Sequence, residues 1–166
     1  MLLTFDEMQA GFGRTGKLFG YMHYDVVPDL ICCGKGASSS LPLSFVLGSK
    51  NIMDLPDEGS MSSTHSANPL SCVAGHENLR EIIEKKLVSK SEKLGITLHN
   101  ELEKLKNKYS NYIKYSFGKG LLASLIFYTS EGRPLTEFCS TVCEKAMQQG
   151  LILVHTGRES IKIGPP

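Results

Sequence analysis

Two short apolar runs near the start of the chain, each ending at a charged residue, set the tightest limit on its fold. Leu2-Leu3-Thr4-Phe5 runs into Asp6-Glu7, and Leu30-Ile31-Cys32-Cys33 runs into Gly34-Lys35. Runs of this length bounded by turn residues read as strands buried on both faces, as in parallel sheets covered by helices. In that architecture ligands collect outside the carboxyl ends of the strands. Asp6 and Lys35 fall at those ends. The pattern predicts an α/β fold that sets a carboxylate beside an amine at a ligand-binding edge.

The glycine-rich stretch between the two runs offers a different reading. Gly11-Phe12-Gly13-Arg14-Thr15-Gly16 fits the dinucleotide fingerprint, and with Lys17 it fits most of a P-loop. The context fails both. Leu18 stands where a P-loop needs Ser or Thr, and Lys17 to Asp25 has no helical period before Pro28. Without a helix N-terminus there are no aligned N–H groups to meet a phosphate. The stretch reads as a loop whose glycines permit positive φ.

Asp6-Glu7-Met8-Gln9, the Gly11–Lys17 turn and Gly34-Lys35-Gly36 together resemble the cofactor core of class III aminotransferases, such as the 4-aminobutyrate, ornithine and acetylornithine enzymes. The separation of 35 − 6 = 29 residues suits that family. Ser63-Thr64-His65-Ser66-Ala67-Asn68-Pro69-Leu70 is similar to its S-T-x-x-x-N-P-L segment. The resemblance implies part of a pyridoxal-phosphate-dependent fold type I large domain, residues 1–108, followed by part of a small C-terminal α+β domain, residues 109–166.

It also implies roles. Lys35 would form the Schiff base with pyridoxal 5'-phosphate, since an amine buried at a strand end attacks an aldehyde more readily than a solvated one. Asp6 would hold the proton on the pyridine nitrogen, so that the ring accepts electrons from the substrate carbon. Gln9 would donate to the phenolic oxygen and Met8 would pack on the ring face. Ser63 and Thr64 would reach the phosphate of a neighbouring subunit, which implies a homodimer with shared sites. The activity implied is transfer of an amino group from an amine or ω-amino acid donor to a 2-oxo acid. An aminomutase on the same scaffold and a catalytically inactive fragment are the alternatives. Most of the family's phosphate-binding groups lie before the position of Asp6. The chain therefore reads as the middle and C-terminal portion of a longer enzyme, binding cofactor weakly by itself.

Composition closes other classes. A net charge of +1 makes no field for nucleic acid or acidic membranes. No run of eighteen apolar residues is present, hence no membrane-spanning segment. Asp6 and Glu7 follow close on the first residues, so no signal peptide is expected from this stretch. The five cysteines are odd in number and lack metal-binding spacing. No metal site is expected, and a reducing cytoplasm is the simplest compartment. Cys139 and Cys143, one helical turn apart, are expected to fill a core face.

Further along, Leu43–Gly48 reads as a strand, Asn51–Leu55 as a helical turn, and Asn68-Pro69 as a helix start. Leu70, Val73, Ala74, Leu79, Ile82 and Ile83 form that helix's expected apolar face. A second helix carries Leu94, Leu98, Leu102, Leu105 and Tyr109, with Gly95 as a point where it can break. Ile113, Tyr115 and Phe117 alternate as in a half-buried strand, and Leu121–Tyr128 follows after a turn or bulge at Gly118–Gly120. Thr136–Gln149 reads as a helix with Phe138, Val142 and Ala146 on one face, ahead of short strands at Leu151–Val154 and Ile161–Ile163. In the acyl-substrate members of the family that the chain resembles, an arginine before the closing proline pair grips a substrate carboxylate. Lys162 stands in that place before Pro165-Pro166. Lysine offers a point charge where arginine offers a two-pronged fork. The exchange points to an ω-amine, an amino alcohol or a larger conjugate as donor.

Overall fold

In the computed structural model, which describes residues 1–166, the first apolar runs form β1 (Thr4–Asp6) and β2 (Leu30–Cys33), paired in parallel with Asp6 level with Cys32. β3 (Phe45–Gly48) adds antiparallel to β2, giving a mixed sheet in the order β1-β2-β3. A short helix α1 (Lys50–Met53) and a loop lead to α2 (Pro69–Glu84). Asn68 caps α2, its side-chain oxygen accepting the N–H groups of Leu70 and Ser71. These elements fall in the first of two compact units, Met1–Lys90.

The sheet departs from the expectation of two-sided burial. Thr4 and Asp6 of β1 are exposed, and Phe45, Val46 and Leu47 of β3 are 36%, 43% and 44% exposed. Of these, Phe45 meets Phe12 edge-on, with ring centroids 6.4 Å apart. Burial in this unit gathers at the strand ends, on Glu7, Thr15, Cys33, Ala37 and Ser38, with Ser71 and Ile82 of α2.

The face of α2 is a second correction. Leu70, Val73 and Ile83 are exposed, at 68%, 60% and 61%, while the helix buries Ser71, Gly75 and Ile82. A Cβ on Gly75 would lie 2.5 Å from Leu43 Cδ2 and 3.3 Å from the Ala37 carbonyl oxygen. Close approach to backbone selects small residues here, and it outweighs the apolar period.

The second unit is Ser91–Pro166. Most of α3 (Leu87–Lys108), which the sequence pattern groups with the first part of the chain, belongs to it. Its sheet is antiparallel, in the order β4-β5-β7-β6, built from β4 (Ile113–Lys119), β5 (Leu122–Phe127), β6 (Val154–His155) and β7 (Ser160–Ile163). α4 (Thr136–Gln148) lies between β5 and β6 in sequence. Leu102, Ile113, Ala123, Leu125, Phe127, Cys139 and Ile161 make the buried core, and Val142 and Cys143 pack against it. Cys139 and Cys143 thus fill the core face expected of them. Phe138, expected beside them, is 38% exposed and stacks on Tyr112 at 5.5 Å.

α3 runs unbroken through Gly95, where a Cβ would sit 2.4 Å from Gly120 Cα. The glycine is a packing requirement, not a break. β4 carries a register shift between Ile113 and Tyr115. Ile113 is buried, whereas Tyr115 and Phe117 stack on each other at 5.5 Å and stay 47% and 59% exposed. One extra residue moves the following side chains to the other face, so the strict alternation read from sequence does not hold. No helix is long and apolar enough to cross a membrane.

Candidate active site at the ends of β1 and β2

Because β1 and β2 are parallel and level, Asp6 and the Lys35 turn leave the sheet at the same end. Asp6 is exposed. Its Oδ1 accepts the Met8 N–H at 3.0 Å, which bends the chain out of the strand. The other oxygen has no partner in the chain. Lys35 opens a 3-10 turn, Lys35–Ala37, at a φ of +43°, a left-handed conformation that L residues adopt at a cost. Its side chain is exposed, not buried as the sequence reading expects, and it pairs with no acid.

The two glycines beside Lys35 are where neighbouring side chains lean in. A Cβ on Gly34 would meet Met8 Sδ at 2.3 Å, and one on Gly36 would meet Phe12 Cβ at 3.3 Å. Met8, half-buried, therefore lies against the turn that carries Lys35. Gln9 is exposed on the same loop. Ser63 and Thr64 lie on the exposed loop before α2, and their hydroxyls bond neither Asp6 nor Lys35. Lys162, half-buried on β7, stands in register with Ser124 and Val154.

Glu7 is the residue whose importance the sequence hid. It is 1% exposed, and its carboxylate accepts the N–H of Gly20 at 2.8 Å and of Tyr21 at 2.7 Å. Its backbone N–H donates to the Cys32 carbonyl at 2.9 Å, tying β1 to β2 at the site. Gly20 has to be glycine, since a Cβ there would lie 2.9 Å from Ala10 Cβ and 3.1 Å from Glu7 Oε2. The only available signal was its place next to Asp6, which does not distinguish a buried clamp from an exposed cap. Burial, with the Glu7 charge second, pushes the Cys33 thiol up to about 11, so it stays protonated.

The glycine-rich stretch is the loop that Glu7 closes. Gly13 and Gly16 have φ of +91° and +87°, as expected, but Phe12, a non-glycine, joins them at +58°. Phe12 packs edge-on to Phe19 at 5.6 Å, and His23 Nε2 lies 3.0 Å from the Thr15 carbonyl oxygen. A 3-10 turn, Gly20–His23, follows where a phosphate-binding helix would start. The loop therefore lacks the frame of a nucleotide site.

The family model for class III aminotransferases matches residues 1–166. An alanine/serine racemase of Pyrococcus horikoshii is 37% identical over 168 residues, covering 100% of this chain and 35% of the racemase. An acetylornithine aminotransferase of Synechocystis is 34% identical over 166 residues, again covering 100% of this chain and 38% of its relative. Among solved structures, an acetylornithine aminotransferase from Elizabethkingia anophelis superposes with a TM-score of 0.89 at 35% identity, over 100% of this chain and 41% of that one. The chain thus spans about two fifths of the length of these relatives. Matched from its first residue to its last, and sharing their α/β fold, the chain belongs to the class III aminotransferase family.

Proposed function

We propose that this chain carries the lysine-bearing part of a pyridoxal-phosphate-dependent aminotransferase site. The observation that carries the reading is the pairing of β1 with β2, which brings Asp6 and the unpaired Lys35 out at one sheet end. The donor set fits pyridoxal 5'-phosphate: an amine for its aldehyde, a carboxylate with one open oxygen for its pyridine nitrogen, and the Gln9 amide for its phenolic oxygen. When bound, the cofactor supplies an electron sink for the bond broken at the substrate carbon. Lys35 would hold the cofactor at its aldehyde carbon through Nζ, and its amine would be the group that moves the substrate's proton. Asp6 would keep the ring nitrogen protonated, and Glu7 fixes the loop on which Met8 and Gln9 stand. Ser63 and Thr64 serve the phosphate of a second subunit, so the whole enzyme is a homodimer. Its substrates are an amino donor and a 2-oxo acid acceptor. Lys162 favours donors that do not need a two-pronged carboxylate clamp. The odd count of five cysteines supports a cytoplasmic setting.

A racemase reading is favoured by the identity to the alanine/serine racemase. There the amine would stay on its carbon and Lys35 would only move the proton. Two assays on the native protein decide. Borohydride reduction with cofactor should fix the pyridoxyl group on Lys35; recovery on Lys17, Lys50 or Lys162 refutes the assignment. Incubation with donor and acceptor should move nitrogen to the 2-oxo acid. Inversion of a chiral amino acid without that transfer favours the racemase.

A further inference from the structure

We infer that Asn78 is a positioning residue for Lys35, holding the turn that carries it through two backbone carbonyls. The inference rests on the reading of Lys35 as the cofactor-binding lysine. Asn78 sits on α2, half-buried, and its Nδ2 donates to the Gly36 carbonyl at 2.7 Å and to the Ala37 carbonyl at 3.3 Å. The turn's own bonds use other acceptors. Ala37 N–H donates to the Gly34 carbonyl at 3.0 Å, and the Ser38 and Ser39 N–H groups both donate to the Lys35 carbonyl, at 3.4 and 3.1 Å. The carbonyls of Gly36 and Ala37 are the ones the turn leaves over, and Asn78 supplies their donor. Ala37 is 2% exposed, so water cannot easily reach its carbonyl, whereas Gly36 is exposed and the Asn78 bond there takes the place of one to water.

Small residues let α2 come this close. Ser71 and Gly75 lie seven and three positions before Asn78, on the same helix face. The same turn is also approached by Met8 at Gly34 and Phe12 at Gly36. It thus has a hydrogen-bonding grip from α2 and an apolar one from the Met8–Phe12 loop. A non-glycine residue at a φ of +43° keeps that conformation only when its surroundings over-determine it. The direction in which the lysine leaves the backbone depends on this φ, and so on the Asn78 amide.

The test compares native protein with Asn78→Asp, which keeps the side chain's size but turns its two donors into an acceptor facing two carbonyls. One readout is cofactor-free hydrogen exchange at the amides of Ala37, Ser38 and Ser39. The other is the rate at which borohydride traps pyridoxyl on Lys35. Exchange at those three amides should quicken, and trapping should slow, each by about tenfold, the scale of one lost hydrogen bond. Asn78→Gln, which keeps the amide, should recover part of both. Wild-type exchange in Asn78→Asp overturns the inference, and so does quickened exchange with unchanged trapping. Trapping on another lysine in wild type overturns the Lys35 reading itself, which separates that failure from a failure of Asn78. If Asn78→Asp does not fold, Asn78→Ala removes the donors without adding charge and is judged by the same two readouts.

Discussion

Replacing Glu7 by alanine should loosen the site end of the sheet more than any other single change nearby. The two hydrogen bonds it accepts, from Gly20 and Tyr21 at 2.8 and 2.7 Å, are charge-assisted. Bonds to a charged group contribute about 1.5–3 kcal/mol each, so the pair is worth roughly 3–6 kcal/mol before other terms. The desolvation of a carboxylate that is 1% exposed opposes this. The net loss is therefore expected near the lower end, about 3 kcal/mol, a large share of the ~5–15 kcal/mol that holds a typical domain. Glu7→Gln keeps one acceptor but turns an NH2 toward a backbone N–H, and should lose about half as much. The assays are urea denaturation and limited trypsin digestion of the native protein. Arg14 and Lys17 lie inside the loop that Glu7 closes, so cleavage there should accelerate relative to Lys104 and Lys106 on α3. A Glu7→Ala protein destabilised by less than ~1 kcal/mol, with no faster cleavage at Arg14 or Lys17, would show that the carboxylate is not a clamp.

Gly95→Ala should destabilise although alanine is the better helix former by about 1 kcal/mol, because its Cβ would lie 2.4 Å from Gly120 Cα; a net loss of roughly 1–3 kcal/mol should lower the melting temperature. Burial pushes the Cys139 thiol from 9.0 up to about 11. As pH rises from about 9 to about 11 the unfolded thiol loses its proton first, so stability should fall across that window, and Cys139→Ala should flatten the fall in urea midpoints. Asp6→Asn should leave cofactor binding intact and cut turnover by roughly two to four orders of magnitude, as loss of a partner charge implies; near-normal turnover would make Asp6 structural. Lys162→Arg should shift a donor panel from ω-amines toward α-amino dicarboxylates. No change in affinity or rate, with wild type already preferring dicarboxylates, would remove Lys162 from substrate binding.

What could be read from sequence was what depends on one segment at a time. The apolar runs announced β1 and β2, and their charged ends announced Asp6 and Lys35, because a strand's length and its terminating residues are local. Asn68-Pro69 announced α2 for the same reason. The errors came where one segment meets another. The apolar period of α2 pointed to Leu70 and Val73, but a helix that must touch the backbone of Gly36 and Ala37 buries Ser71 and Gly75 and brings the half-buried Asn78 onto that backbone. The alternation of β4 failed at a bulge, which only its pairing with β5 reveals. Glu7 and Asn78 escaped notice because both act on backbone groups of another segment, and no spacing rule records such a partner.

Folding alone does not ask for lysine at position 35. Glycine would relieve the left-handed cost of about 1–2 kcal/mol and lose roughly 0.5–1 kcal/mol in chain entropy. Glycines already stand on both sides at positions 34 and 36. Three successive glycines would fold there at no loss, and with a small gain. A lysine held at a φ of +43° between them therefore costs the fold something that a glycine at position 35 would not.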